Sequence, residues 1–291
     1  MDTKHQLVQK TYSIAAIDGT PLKVYRSHKE IRFAAPILMT HGACSNAGVC
    51  SLLARYLVNH GLDVWVFEWR GHGQSPKLYA NPDFDTVAKN DLVPVIETVV
   101  SESKKQNFFW VSHSGGGLKF LMALGLYPEY QKYVKGYITL ASQATEGFRS
   151  SFSSQMVILQ GLLVNTILPS FPGKLLKIGP ENEYGALMQQ WFFWNIRKRW
   201  DSKEGFDYLQ ALKQMIFPCL FLSSSKDTVA PSSGVAALYE KVASIDKNHI
   251  ICGKEQGFEN DFSHASVFTS KQAHKEIYPI LFQWLQERDS S

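Results

Sequence analysis

The segment FFWVSHSGGGLKF, residues 108–120, carries the clearest chemical signal in the sequence. An apolar run leads into a turn rich in serine and glycine, and a helical pattern follows. An attacking serine must hold its hydroxyl clear of its own backbone. A tight strand-to-helix turn does this only if the residues two before and two after the serine are small. Ser112 and Gly116 occupy those positions around Ser114. The segment therefore predicts a nucleophile elbow with Ser114 as the attacking residue.

The turn departs from the common G-x-S-x-G pattern, because Ser112 stands at the first small position. Glycine-rich turns between a strand and a helix also bind phosphates. A dinucleotide site would require G-x-G-x-x-G, and a P-loop would require a lysine followed by Ser or Thr. The letters SHSGGGLK fit neither pattern. A helix N-terminus behind the serine would also supply N–H groups to a developing oxyanion. We therefore favour a nucleophile elbow over a phosphate-binding turn.

The elements that must position this turn alternate between β-rich and helical patterns, which is typical of a mostly parallel sheet covered by helices. Asp85 is placed to cap one helix, and Pro94 would kink it. The predicted strands are 22–26, 36–40, 63–69, 108–111, 134–140, 217–222 and 249–252. The predicted helices are 48–59, 86–103, 118–126 and 270–287.

Residues 146–210 break this alternation and are rich in aromatic and apolar side chains. We interpret them as a helical cap inserted over the carboxyl edge of the sheet, with ordinary crossover helices as the alternative. The chain would then consist of one core, residues 1–145 and 211–291, and one cap, residues 146–210. A single core of this size is common among α/β folds.

Composition excludes several classes of protein. The net charge of +4 is spread along the chain, so we expect no nucleic-acid partner. The four cysteines form no C-x-x-C pair and predict reduced thiols rather than disulfides. The beginning of the sequence lacks the pattern of a signal peptide. The apolar stretch 156–168 is too short and too polar to cross a bilayer. We therefore predict a cytoplasmic protein without a transmembrane segment.

Five motifs occur in a characteristic order, each near a predicted strand end: HGACSN (41–46), FEWRGHGQS (67–75), VSHSGGG (111–117), SSSKDTVAP (223–231) and DFSHASV (261–267). In these motifs the chain resembles serine hydrolases of the α/β-hydrolase superfamily. It is most similar to the monoacylglycerol lipase and esterase group, which is serine aminopeptidase S33-like. The resemblance covers nearly all of the chain outside residues 146–210. It implies the α/β-hydrolase fold and a Ser-Asp-His catalytic triad.

The resemblance also implies roles for four further residues. The backbone amides of Ala43 and Gly115 would form the oxyanion hole, His264 would be the base, and Asp227 would be the acid that orients it. Asp227 and His264 are separated along the sequence by slightly more residues than is usual in the family, which predicts an extra loop near residues 253–260. Asp261 is the rival acid, but it stands so near His264 in sequence that a local loop brace is the better interpretation.

Five residues are candidates for substrate binding. His41 and His113 belong to the motifs, Cys44 is expected in the wall beside the oxyanion hole, and two tryptophans lie in the predicted cap. These candidates are His41, Cys44, His113, Trp191 and Trp194. Packing within the cap is the alternative for the tryptophans. No metal and no organic cofactor is implied, since three side chains and two amides complete the chemistry.

In the superfamily that the chain resembles, haloalkane dehalogenases and epoxide hydrolases have an aspartate at the elbow. The serine of this chain therefore disfavours both classes of enzyme. The remaining reaction for this site is the transfer of an acyl group to water. The aromatic side chains of the predicted cap favour an apolar group, so the expected partner is a small ester or lipid, with peripheral membrane contact through the cap. Two alternatives stay open: a thioester or carbon–carbon hydrolase on the same triad, and a catalytically silent binding protein.

Overall fold

The computed structural model describes residues 6–77, 80–147, 152–168 and 170–289. Eight strands form one sheet: β1 (Val8–Ala15), β2 (Pro21–His28), β3 (Ile37–Thr40), β4 (Val64–Glu68), β5 (Phe108–His113), β6 (Val134–Leu140), β9 (Cys219–Ser224) and β10 (Lys247–Cys252). Their order across the sheet is β1-β2-β4-β3-β5-β6-β9-β10. Strand β2 pairs antiparallel with β1 and β4, and the other neighbours are parallel. The predicted mostly parallel sheet of an α/β-hydrolase is confirmed.

Helices cover the sheet, and short 3-10 turns at Ala47–Cys50, Pro128–Tyr133, Leu212–Gln214 and Lys254–Gln256 join them to it. These helices include α1 (Ser51–Asn59), α2 (Phe84–Asn90), α3 (Leu92–Ser103), α4 (Gly115–Leu126), α7 (Tyr208–Ala211), α8 (Ser232–Lys241), α9 (Ser266–Thr269), α10 (Lys271–Glu276) and α11 (Tyr278–Asp289). Every residue of β3, β4 and β5 is buried, as expected for strands covered on both faces.

The predicted helix over residues 86–103 is wrong in two respects. It is two helices, α2 and α3, that meet at Asp91, and the side chain of Asp83 rather than Asp85 caps the first. Pro94 lies in the first turn of α3, where its missing N–H has no helical partner to lose, so it need not kink the helix. Asp85 is buried instead and accepts a hydrogen bond of 2.7 Å from the hydroxyl of Tyr208.

The predicted C-terminal helix is also divided. It is interrupted at Ile277, between α10 and α11, and Pro279 is the second residue of α11. A proline there removes the N–H that would continue the preceding helix, which accounts for the break. Helix α4 begins at Gly115 rather than at residue 118, so its N-terminus lies directly behind Ser114.

Residues 146–210, called here the insertion segment, belong to the connection between β6 and β9, two neighbouring parallel strands. Its described residues include α5 (Phe152–Ile167), a hairpin of β7 (Ser170–Phe171) and β8 (Glu183–Tyr184), and α6 (Gly185–Arg197). Helix α6 buries Trp191, Phe192 and Trp194, whereas α5 exposes several large apolar side chains. Within the described ranges, no helix is long and apolar enough to cross a membrane.

Candidate active site

The nucleophile candidate Ser114 lies at the junction of β5 and α4. Its φ of 52° and ψ of −126° place it in a left-handed region that residues other than glycine rarely adopt. Two hydrogen bonds hold this backbone. The Ser114 amide donates to the carbonyl of Leu140 at 2.8 Å, and Ser142 Oγ donates to the carbonyl of Ser114 at 2.6 Å. The end of the neighbouring strand β6 and the residues just after it therefore stabilise the strained turn.

Close packing around the turn explains its small residues. A Cβ on Gly116 would lie 2.6 Å from the carbonyl oxygen of His41, which is too close for any side chain. The same Cβ would lie 3.3 Å from the Cβ of Ser112, so a side chain at residue 116 would also crowd Ser112. A Cβ on Gly42 would lie 2.9 Å from the Cβ of Ser114. The loop after β3 thus packs directly against the nucleophile.

Ser114, His264 and Asp227 form one hydrogen-bonded chain. The Oγ of Ser114 is 2.9 Å from Nε2 of His264, and Nδ1 of His264 is 2.7 Å from Oδ2 of Asp227. Because a carboxylate only accepts, Nδ1 carries a proton and Nε2 accepts from the serine. This geometry lets His264 take the serine proton while Asp227 holds the ring in the required tautomer.

Asp227 is fixed independently of His264. Its Oδ1 accepts hydrogen bonds from the backbone N–H groups of Val229 and Ala230, both at 2.8 Å. Burial alone would raise the pKa of Asp227, but the hydrogen bond and charge of His264 and these two amides together lower it. The group is therefore an ionised acceptor aimed at His264.

Asp261 lies elsewhere. Its Oδ1 accepts from Ser225 Oγ at 2.8 Å and from the backbone N–H of Lys254 at 3.1 Å. It therefore joins the loop after β9 to the loop after β10.

His113 contacts His264, the predicted base. Its Nε2 donates to the carbonyl oxygen of His264 at 2.7 Å, and its ring stacks on Phe268 at a centroid distance of 5.2 Å. Burial, followed by the neighbouring His264, lowers the pKa of His113 to about 3, so its ring is neutral. Sequence reasoning assigned His113 to substrate binding. The structure places it at the wall of the cavity beside Ser114, where it also holds the main chain of His264. Nothing in the sequence pattern distinguishes these roles.

A cavity of about 400 Å³ opens beside Ser114 and His264. Ala43 and Gly115, the predicted oxyanion donors, both border it next to the serine. Most of its wall is apolar, and the insertion segment contributes part of it. The side chains that give the wall this character include Val49, Leu52, Phe84, Ile178, Met188, Trp191, Val229 and Ala230.

The five predicted binding residues separate into two groups. Cys44, His113 and Trp191 border the cavity. His41 and Trp194 are not among the described residues that line it. His41 is fully buried, stacks on Trp69 at 4.6 Å between ring centroids, and donates from Nδ1 to the carbonyl of Gly42 at 2.8 Å. Trp194 donates from its indole nitrogen to the carbonyl of Asp201 at 2.8 Å.

Several lining residues had no sequence signal. Phe84 precedes a predicted helix, Ile178 lies in the loop between β7 and β8, and Met188 is one apolar residue among many in α6. Their place at the cavity depends on how the insertion segment folds back over the sheet edge. In the parts of the chain that the structure describes, no group of three or more His, Cys, Asp or Glu side chains is arranged to hold a metal ion.

The sequence is similar to known proteins over about half of its length. Residues 32–183 match the family model described as serine aminopeptidase, S33, over half of the chain. Gastric triacylglycerol lipase from Mus musculus is 28% identical over 177 residues, which cover 54% of this chain and 45% of the lipase. The chain thus spans about half the length of the curated relatives it matches.

Solved structures resemble the whole fold. The esterase from Exiguobacterium antarcticum superposes with a TM-score of 0.67 at 17% identity, covering 95% of this chain and 100% of that one. The monoacylglycerol lipase from Paleococcus ferrophilus gives 0.63 at 17% identity, covering 92% and 99%. At such identities the likeness shows the fold alone. Together with the match over residues 32–183, it establishes that the chain belongs to the serine aminopeptidase S33 family of α/β-hydrolases.

Proposed function

We propose that this protein is a serine hydrolase that cleaves carboxylic esters of apolar acyl groups. The observation that carries the proposal is the distance of 2.9 Å between Ser114 Oγ and His264 Nε2, at the wall of an apolar cavity. Ser114 attacks the ester carbonyl while His264 takes its proton, and the alcohol leaves with that proton. Water then attacks the acyl-enzyme with His264 again as the base, which restores Ser114 and releases the acid.

Two backbone amides would stabilise the oxyanion. Gly115 starts α4, so its N–H lies at the electropositive end of a helix. Ala43 follows Gly42, which packs against Ser114. Preorganised donors of this kind typically contribute about 3–4 kcal/mol each to lowering the barrier.

The cavity supports an apolar substrate of modest size. Ligand pockets commonly measure about 300–1,000 Å³, so a volume near 400 Å³ favours an ester with one short or medium acyl chain. Relatives and structural neighbours bear the names of lipases and esterases, which supports an ester bond as the one cleaved.

Residues 146–210 would serve as a cap that forms the upper wall of the cavity and contacts lipid surfaces. Trp191 and Met188 of α6 border the cavity, while α5 exposes Leu159, Leu163 and Ile167 on one side. These three residues recur every four positions, so they share one face of the helix. Exposed apolar side chains in a contiguous stripe favour contact with a lipid surface.

A fluorophosphonate probe tests the mechanism. We expect covalent labelling of the native protein and its loss in Ser114→Ala and His264→Ala, with hydrolysis of p-nitrophenyl esters falling by several orders of magnitude in both variants. A series of rising acyl chain length should show a maximum at short or medium chains. Absence of labelling in the native protein, or labelling that survives Ser114→Ala, would contradict the proposal.

A further inference from the structure

Glu183 is a fully buried carboxylate of the β7–β8 hairpin that reaches into the loop of residues 41–46, called here the oxyanion loop. Its Oε2 accepts a hydrogen bond of 2.9 Å from the backbone N–H of Cys44. Nε2 of His72 lies 3.2 Å from the same oxygen. Burial alone would raise the pKa of Glu183, but His72, the buried Lys119 and the Cys44 amide outweigh it and lower the pKa to about 2. Glu183 is therefore an ionised acceptor.

A second contact holds the other side of Cys44. The backbone N–H of Glu181 donates to the carbonyl oxygen of Cys44 at 3.0 Å. The side chain of Asn46 also donates to Oε1 of Glu181 at 3.0 Å. Both polar backbone groups of Cys44 are thus bonded to the hairpin, one to the side chain of Glu183 in β8 and one to the backbone of Glu181 in the loop before it.

Cys44 needs such support because its φ is 56°, a left-handed value that costs a residue with a side chain on the order of 1–3 kcal/mol. The approach of the hairpin loop is also unusually close. A Cβ on Gly179 would lie 2.1 Å from the carbonyl oxygen of Cys44, and one on Gly173 would lie 2.7 Å from its Sγ. The shape of the oxyanion loop therefore depends on a segment distant in sequence.

We propose that Glu183 is a positioning residue for the oxyanion hole, fixing the Ala43 amide through its hydrogen bond to the adjacent Cys44 amide. The Cys44 N–H is committed to Glu183, so the neighbouring Ala43 N–H is the loop donor that can face the substrate. The oxyanion hole is then complete only while the hairpin is seated on the loop. This inference rests on the proposed ester hydrolysis at Ser114.

The test compares Glu183→Ala with Glu183→Gln. The alanine variant loses the acceptor, and kcat per active site should fall roughly 10- to 100-fold, because a displaced donor costs somewhat less than the loss of one. KM for a short p-nitrophenyl ester should change less than about threefold, since ground-state binding does not use the oxyanion hole. The glutamine variant keeps an oxygen acceptor for Cys44 and should recover most of the rate. Glu204→Ala, which removes an exposed carboxylate paired with Lys89, is the control.

Affinity for a trifluoromethyl ketone adds a second readout, because that inhibitor forms an oxyanion with Ser114. Its inhibition constant should rise in proportion to the loss of kcat/KM in Glu183→Ala. A merely structural role would lower the melting temperature and the fraction of titratable sites, but not kcat per titrated site.

Wild-type values of kcat per site and inhibitor affinity in Glu183→Ala would overturn this inference and leave the proposed hydrolase standing. A native protein that neither reacts with fluorophosphonate nor hydrolyses esters would overturn both.

Discussion

The carboxyl edge of the sheet and the outer face of α5 differ in how far their side chains are buried and hydrogen-bonded. At the sheet edge, Asp227 is buried and both of its oxygens are hydrogen-bonded, and Ser114 is held by its neighbours in a strained conformation. Helix α5 instead presents Leu159, Leu163 and Ile167 to solvent. The difference teaches that the sheet edge fixes the geometry of Ser114 and Asp227. Under the proposed function, access to that edge would depend on the insertion segment.

The largest effect within this comparison should come from exchanging the acid. In Asp227→Asn, the side-chain amide can donate as well as accept, so it no longer keeps the proton of His264 on Nδ1. Nε2 is then no longer held as the acceptor for Ser114. We expect kcat/KM to fall by roughly 10⁴ with little loss of fold, by analogy with other triads. Asp261→Asn is the matched control and should stay within a few-fold of wild type. Steady-state ester hydrolysis measures both, and similar losses in the two variants would refute the assignment.

The second effect concerns the free energy of unfolding at acid pH. Burial holds the pKa of His113 at about 3 in the folded protein, whereas a free histidine titrates near 6.5. As the pH falls below about 6.5, the unfolded chain takes up a proton that the folded chain does not, so the folded state loses stability down to about pH 3.

His113→Gln removes this proton uptake. The decrease in the free energy of unfolding between pH 7 and pH 5 should become smaller by about 1–2 kcal/mol, measured by urea unfolding at both pH values. The control is His274→Gln, which changes an exposed histidine and should keep the wild-type decrease. An unchanged pH dependence in His113→Gln would show that His113 is not held neutral.

The smallest effect should appear at the outer face of the insertion segment. Leu159 and Ile167 are 52% and 71% exposed. The double substitution Leu159→Ser with Ile167→Ser should weaken binding to phosphatidylcholine vesicles roughly 5- to 30-fold, because each apolar side chain contributes on the order of 0.5–1 kcal/mol when partly buried in lipid. Hydrolysis of a water-soluble ester should not change. Ile17→Ser, at a 57% exposed residue outside the segment, is the control in a vesicle sedimentation assay. Equal sedimentation of all three proteins would count against lipid contact.

The parallel strands were predictable because burial on both faces leaves continuous apolar runs, as in β5. The motifs placed Ser114, Asp227 and His264 after the parallel strands β5, β9 and β10, and parallel strands bring their carboxyl ends to one edge. Strand β1 escaped prediction because most of its residues are exposed, so it lacks the continuous apolar run of a buried strand. Helix α8 was likewise not predicted.

The finer parts of the site depend on contacts distant in sequence. The sequence gives no sign that Glu183 is buried, because its contact with Cys44 forms only when the hairpin folds back. It likewise gives no sign that His113 is bonded to the main chain of His264. Local sequence patterns indicate the spacing of apolar residues and the type of turn in a segment. They do not indicate which distant loop the segment will contact.

The position of the insertion segment within one crossover has an evolutionary consequence. A connection between parallel strands needs only about a dozen residues, and β6 and β9 are already neighbours in register, with Leu140 opposite Leu222. Lengthening, trimming or grafting the intervening stretch therefore leaves the strand order untouched. Under the proposed function, exchanging this one stretch would change the range of substrates, provided that each replacement again supplies an acceptor for the Cys44 amide.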